Sequence, residues 1–206
     1  LALAVYVSEY LPSDKRARVL GVLELFEGIP TVVFGYFALL FVTPLLQKVI
    51  PGLSLFNPLS AGLVMGFAIL PYVSNVAADA MQSVPRSIRE AAYALGARPY
   101  EVALKVVLPA ALSGVIAAII LAASRAIGEP MIVAIAAGQR PTLTLDPRET
   151  IATMTSYIVQ AATGDQPTGS TAYYALFAVG FTLFLLTLAL NVLAQYIVER
   201  YRERYE

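Results

Sequence analysis

The chain of 206 residues is 58% hydrophobic and 14% charged, where soluble domains carry roughly 45–50% apolar and about 25% charged residues, so its composition excludes an ordinary water-soluble globule. Fourteen basic and fourteen acidic residues cancel, which leaves no basic field to hold a nucleic acid. With no cysteine and no histidine the chain lacks disulfides, thiolate metal sites and the commonest general base, so no cofactor and no catalytic chemistry are expected of it.

In chain order, the apolar run Leu1 to Ser8 comes first, without an initiator Met or a charged leader, and reads as the tail of a span that starts upstream. Uncharged runs then cover residues 28–47, 49–78, 106–124 and 166–198, each longer than the ~18 residues a membrane-crossing helix needs. They predict four spans, at about Ile29–Gln47, Pro58–Ala80, Pro109–Ala137 and Ala172–Ile197. The expected fold is all-α: residues 1–206 as a single polytopic membrane helical bundle. Pro30, Pro44 and Pro71 lie in or at the ends of these spans and should bend them. Gly62 and Gly66 make a G-x-x-x-G, and Ala117, Ala118, Ala122 and Ala123 offer small surfaces, as ordinary bundle packing would use.

Orientation follows from the basic residues, which resist translocation. Lys15, Arg16 and Arg18, then Arg86, Arg89, Arg98 and Lys105, then Arg200, Arg202 and Arg204 fall on one side, ten of the fourteen. That side and the C-terminus are therefore expected to be cytoplasmic. The outer segments are Lys48–Asn57 and residues 138–171, the latter with the Pro, Gly, Asp and Thr content of an irregular loop.

Residues 82–108 are too polar to span, and their pattern predicts two short helices. Ser83 can cap the first, with Pro85 in its opening turn; Ile88, Ala91, Ala92 and Leu95 recur at helical spacing, and Gly96 supplies the left-handed residue that ends it. A second helix begins near Pro99 with Val102, Val106 and Val107 on an apolar face. Such an elbow at a membrane surface either presents a knob to a cytoplasmic partner or anchors the bundle as an interfacial helix.

The order Glu90-Ala91-Ala92, three residues, Gly96, nine residues, Val106, then Leu108-Pro109 is similar to the EAA loop of type I ABC importer permeases, with Val106 where that family usually has Ile. The resemblance implies a permease of the MetI-like class, without enzymatic activity of its own. It also implies that Glu90, Ala91, Ala92, Gly96, Leu108 and Pro109 belong to the element that docks on an ATPase subunit and transmits its closure to the spans. No G-x-x-x-x-G-K-S/T loop occurs here, so hydrolysis of ATP would fall to the partner.

Arg125 and Glu129 follow nineteen uncharged residues and should lie well up the third span. An Arg near a bilayer centre costs about 2.5–3.5 kcal/mol on insertion scales, so it needs an interior cavity or a partner. At spacing i, i+4 the two can form a mutual salt bridge. Alternatively Arg125 offers a planar fork of donors to an oxyanion, while Glu129 accepts a hydrogen bond from a protonated phosphate oxygen and repels fully ionised oxyanions.

Arg125-Ala-Ile-Gly-Glu129 resembles the signature of phosphate permeases of the PstC and PstA pair; Gly28-Ile-Pro-Thr-Val-Val-Phe-Gly35, and Thr153-Met-Thr-Ser-Tyr-Ile158 with Gly164-Asp165, are similar to further stretches of that family. The PstC-like member fits better, through Val84 to Gly96 and Ala175 to Gly180. Pro130 departs from the family's usual Thr and should break or bend the helix just after Glu129. The resemblance implies a multi-pass protein of the plasma (inner) membrane, in contact with lipid. Its implied partners are a second, PstA-like permease, a dimer of PstB-like ATPases and a PstS-like extracytoplasmic phosphate-binding protein. Two other readings of the same residues are a permease for another oxyanion, such as phosphonate or tungstate, and an ion-coupled secondary transporter that uses Arg125 and Glu129 as substrate and proton sites.

Overall fold

The computed structural model of the chain describes residues 1–164 and 167–201. The expectations attached to Asp165, Arg202 and Arg204 lie outside the described residues. Every regular element among the described residues is helical, as expected: α1 (Ala2–Val5), α2 (Ser13–Glu27), α3 (Thr31–Phe37), α4 (Thr43–Gln47), α5 (Pro58–Gln82), α6 (Arg86–Ala94), α7 (Pro99–Glu101), α8 (Leu108–Ala110), α9 (Leu112–Gly128), α10 (Met131–Ala136), α11 (Met154–Thr163) and α12 (Thr171–Tyr201). Wider π-helical turns at Tyr6–Tyr10, Ala38–Val42 and Val102–Val107 continue α1, join α3 to α4 and join α7 to α8.

Proline explains where two of these turns lie. A proline inside a helix lacks the N–H that would bond four residues back, and its ring clashes with that carbonyl. Four residues before Pro44 is Leu40, and four before Pro109 is Lys105, both within widened turns that move the carbonyl aside. The helix therefore continues through each proline. Pro30, by contrast, stands at the N-cap of α3 with extended ψ of 133°, and Pro71 lies inside an unbroken α5.

Among the described residues two helices, α5 and α12, are by length and composition long and apolar enough to cross a membrane; four such crossings result if Asp14–Glu27 with Thr31–Gln47, and Pro99–Ala110 with Leu112–Gly128, each count as one broken span. Helix α2 was not foreseen, since its charge density hides it from a search for apolar runs. Helix α11 is a second addition, a regular turn-bearing element inside an outer segment read as irregular.

The chain divides into two compact units, each with its own core. The first comprises Leu1–Glu27, Leu70–Ala123 and the chain from Leu190 onward. Its core sets Ala4 and Val7 against Ala77, Ala78 and Met81 of α5, Val102 and Val107, and Val115 and Ala118 of α9. The helices approach closely at Gly114, where a Cβ would lie 2.6 Å from that of Ala80. The G-x-x-x-G at Gly62 and Gly66 does not do this: a Cβ at either would meet nothing within 4 Å. Small residues at helical spacing permit close approach without causing it, and here the neighbour is at Gly114 instead.

The second unit comprises Gly28–Ile69 and Ser124–Ala189. It buries Phe34 and Ala38, Ala61 and Val64 of α5, and Ile132, Val133, Ala136 and Ala137. Gly35 lets α3 close on α10, since a Cβ there would lie 3.0 Å from Ile135 Cβ and 3.2 Å from the Met131 carbonyl oxygen. A buried neutral network fixes the start of α5: Asn57 Oδ1 accepts the Ser60 N–H (2.8 Å) as N-cap, its amide donates to the Ser54 carbonyl (2.9 Å), and the Thr43 hydroxyl donates to Ser60 Oγ (2.8 Å).

Candidate functional sites

In the first unit, residues 82–108 form the expected elbow. Ser83 does not cap α6: it sits just past the end of α5, and its hydroxyl donates back to the Ala80 carbonyl (2.7 Å). Pro85 takes the N-cap place, with φ −56° and ψ 142° turning the chain out of α5. The other end matches expectation. Gly96 has φ +84°, the Ala97 N–H reaches the Ala92 carbonyl (3.1 Å) and the Gly96 N–H reaches that of Tyr93 (2.9 Å), a Schellman closure. Helix α7 then starts at Pro99; the Arg98 N–H and, less strongly, Lys105 hydrogen-bond the Glu101 carboxylate and hold its pKa below the ordinary value.

Two faces of α6 differ. Ile88, Arg89 and Ala92 are half-buried, and Ile88 and Ala92 pack on the core, whereas Glu90, Ala91, Tyr93, Ala94 and Leu95 are exposed. Leu95 was expected on the packed face, but the tightened end of the helix rotates it out to 89% exposure. Leu108 is half-buried against the core and Pro109 is exposed. With Arg86 and Ser87, which are also exposed, this face carries both signs of charge beside the large side chains of Tyr93 and Leu95.

Behind that face lies an ion pair that sequence reading missed. Arg89 Nε and Nη2 donate to the two carboxylate oxygens of Glu9, each at 3.1 Å, and the side chains are 17% and 9% exposed. Arg89 Nη2 also donates to the Met81 carbonyl (2.8 Å) and Nη1 to that of Val84, and the Ser8 hydroxyl donates to Glu9 (2.7 Å). From α2, Arg16 donates to the carbonyls of Val7, Ser8 and Leu11. The groups border a cleft of about 290 Å³ shared with Gln82, Arg86 and Tyr93. The available signal was a lone acid, Glu9, ending an otherwise uncharged apolar run.

In the second unit, α9 ends at Gly128 and α10 starts at Met131, so the chain breaks at Glu129-Pro130 as Pro130 predicted. The regular helix thus ends between Arg125 and Glu129. Arg125 is exposed on the last turn of α9. Glu129 is half-buried; its Oε1 accepts the Met131 N–H (3.0 Å), capping the new helix, and its carbonyl accepts from the Thr155 hydroxyl (3.3 Å). Thr155 belongs to α11, which Thr153 caps by accepting the Ser156 N–H at 3.2 Å. The stretch Thr153 to Ile158 thus sets the Thr155 hydroxyl against the break, a juxtaposition that no spacing rule gives.

Hydrogen bonds tie residues 148–151 to neighbouring parts of the second unit. The Ile151 N–H donates to the Ala137 carbonyl (3.2 Å), the Ser54 N–H to that of Arg148 (3.0 Å), and the Thr150 hydroxyl to that of Phe56 (2.9 Å). The Asp146 carboxylate, clasped by the guanidinium and N–H of Arg148, has its pKa lowered to about 2.

Residues 2–203 match the family described as "Binding-protein-dependent transport system inner membrane component". The chain is 31% identical over 97% of its length to the probable ABC transporter permease protein YqgH of Bacillus subtilis, of which it spans 64%. It is also 31% identical to the phosphate transport system permease protein PstC of Xylella fastidiosa, and 28% identical to the probable protein of that name from Methanocaldococcus jannaschii, spanning 67% and 68% of their lengths. The chain therefore covers about two thirds of these relatives. A chain of the inward-facing MetNI methionine ABC transporter superposes with a TM-score of 0.66 at 16% identity, covering 95% of this chain and 84% of that one, which shows the MetI-like all-helical fold. This chain belongs to the family of binding-protein-dependent transport system inner membrane components.

Proposed function

We propose that this chain is the PstC-like permease subunit of an ATP-driven importer and forms part of the membrane path for inorganic phosphate. The observation that carries the proposal is the pairing of the exposed α6 elbow with about 30% identity, along nearly the whole chain, to permeases named for phosphate transport. In this reading Glu90, Ala91 and Ala92 face the ATPase, Gly96 sets the elbow, and Leu108 and Pro109 carry its movement into α9. Arg125 meets the oxyanion with a planar fork of donors. Glu129 sets the α9–α10 break beside it, and Thr153 and Thr155 support that break.

The partners are a PstA-like second permease, two copies of a PstB-like ATPase that supply the hydrolysis, and a PstS-like phosphate-binding protein outside. The C-terminus is cytoplasmic. ATP-driven uptake of radiolabelled phosphate into proteoliposomes holding the full-length assembly tests the proposal. Uptake that excess phosphonate and tungstate leave intact supports it. Uptake of either in place of phosphate contradicts the solute, and uptake without the ATPase contradicts the importer.

A further inference from the structure

We infer that Arg89 and Glu9 form the positioning pair through which α6 drives the membrane helices, a deepening that rests on the proposed docking role of α6. Arg89 lies one residue before Glu90 and is half-buried where Glu90 is exposed. Its guanidinium holds three parts of the chain at once: the Glu9 carboxylate at the end of the first helical segment, the Met81 carbonyl in the last turn of α5, and the Val84 carbonyl in the link to α6. A force applied to the exposed face of α6 therefore reaches two helices of the unit through one side chain.

The chemistry suits a rigid joint. A guanidinium that meets both oxygens of a carboxylate fixes direction as well as distance, which a lysine ammonium does not. Buried ion pairs stabilise little more than apolar residues of the same shape, so stability is a poor explanation for this one; fixing a single register of α6 is a better one. The pair also links residues 80 apart in sequence that no backbone hydrogen bond joins. Glu9 is otherwise contacted by the Ser8 hydroxyl, and the first segment is tied to α2 through Arg16.

The test uses the full-length permease assembled with its ATPase and binding protein in proteoliposomes. It reads the fold-stimulation of ATP hydrolysis by the binding protein, which does not depend on the solute's identity. Arg89→Lys and Glu9→Gln are expected to lower that stimulation at least fivefold in complexes that still elute as intact assemblies. These 206 residues hold no cysteine, so in an assembly whose remaining subunits and segments are made cysteine-free, a Glu9→Cys, Arg89→Cys double variant bridged by a short bismaleimide reports on this joint alone. Bridging is expected to restore stimulation, because α6 and the first segment move as one body. Wild-type stimulation in both single variants, or loss of stimulation on bridging, overturns the inference. An apolar pair, Glu9→Leu with Arg89→Met, that couples like wild type also overturns it, by reducing the contact to packing. Glu90→Ala and Leu95→Ala, which leave this pair in place, test the docking role separately: if both couple normally, the reading of α6 fails first.

Discussion

The two units solve the problem of polar groups among apolar helices in opposite ways. The first holds charge: Glu9 and Arg89 are paired at 9% and 17% exposure, and Arg16 closes three helix-end carbonyls. Among the described residues the fully buried polar groups of the second unit are neutral, Thr43, Asn57, Ser60, Ser124, Thr155 and Ser156, while Glu129 is half-buried and Arg125 exposed. Charge pairs are strong and directional but expensive to desolvate, and they suit a joint that moves as a body near water. Neutral hydroxyls and amides fix helix ends at a smaller desolvation cost.

The largest test of the contrast is steric. Gly114→Leu forces a side chain into the place where Ala80 already lies 2.6 Å from a Cβ, and should destabilise the first unit by about 3 kcal/mol. Gly62→Leu, in open space, should leave the detergent-solubilised melting temperature unchanged. Equal effects would mean that the G-x-x-x-G is a contact after all. Asn57→Ala removes the cap of α5 from the neutral network and should cost about 1–2 kcal/mol, read as a loss of protease resistance in the second unit. Gly96→Ala puts a Cβ on a residue at φ +84° and should cost about 1 kcal/mol, loosening the elbow and lowering ATPase coupling more than assembly.

The smallest expected effect concerns the Asp146–Arg148 clasp. Asp146 has its pKa depressed from 3.8 to about 2 by Arg148, so this clasp supports the fold fully above 3.8 and is lost as the pH falls through about 2. Arg148→Ala should return the carboxyl titration, followed by NMR, toward 3.8. An unchanged midpoint would show that Arg148 is not its cause.

The elbow was legible in sequence because its signals are local: Gly96 is needed for a left-handed turn and Pro99 for the next helix start. The break after Glu129 was legible for the same reason, since Pro130 cannot donate. The Arg89–Glu9 pair, the Gly114–Ala80 approach and the packing of Thr155 on the break were not, because each joins residues far apart along the chain. Ser83 and Leu95 show the limit of local rules: a serine after one helix can turn back to it as readily as cap the next, and a Schellman end rotates the last apolar residue off its face.

The most direct measurement is ATP-dependent uptake of labelled phosphate by vesicles with the full-length complex, comparing wild type, Arg125→Ala and Glu90→Ala. The account predicts that both variants lose uptake and that Glu90→Ala alone also separates ATP hydrolysis from the binding protein. Normal phosphate uptake by Arg125→Ala would contradict it and make that guanidinium a structural group.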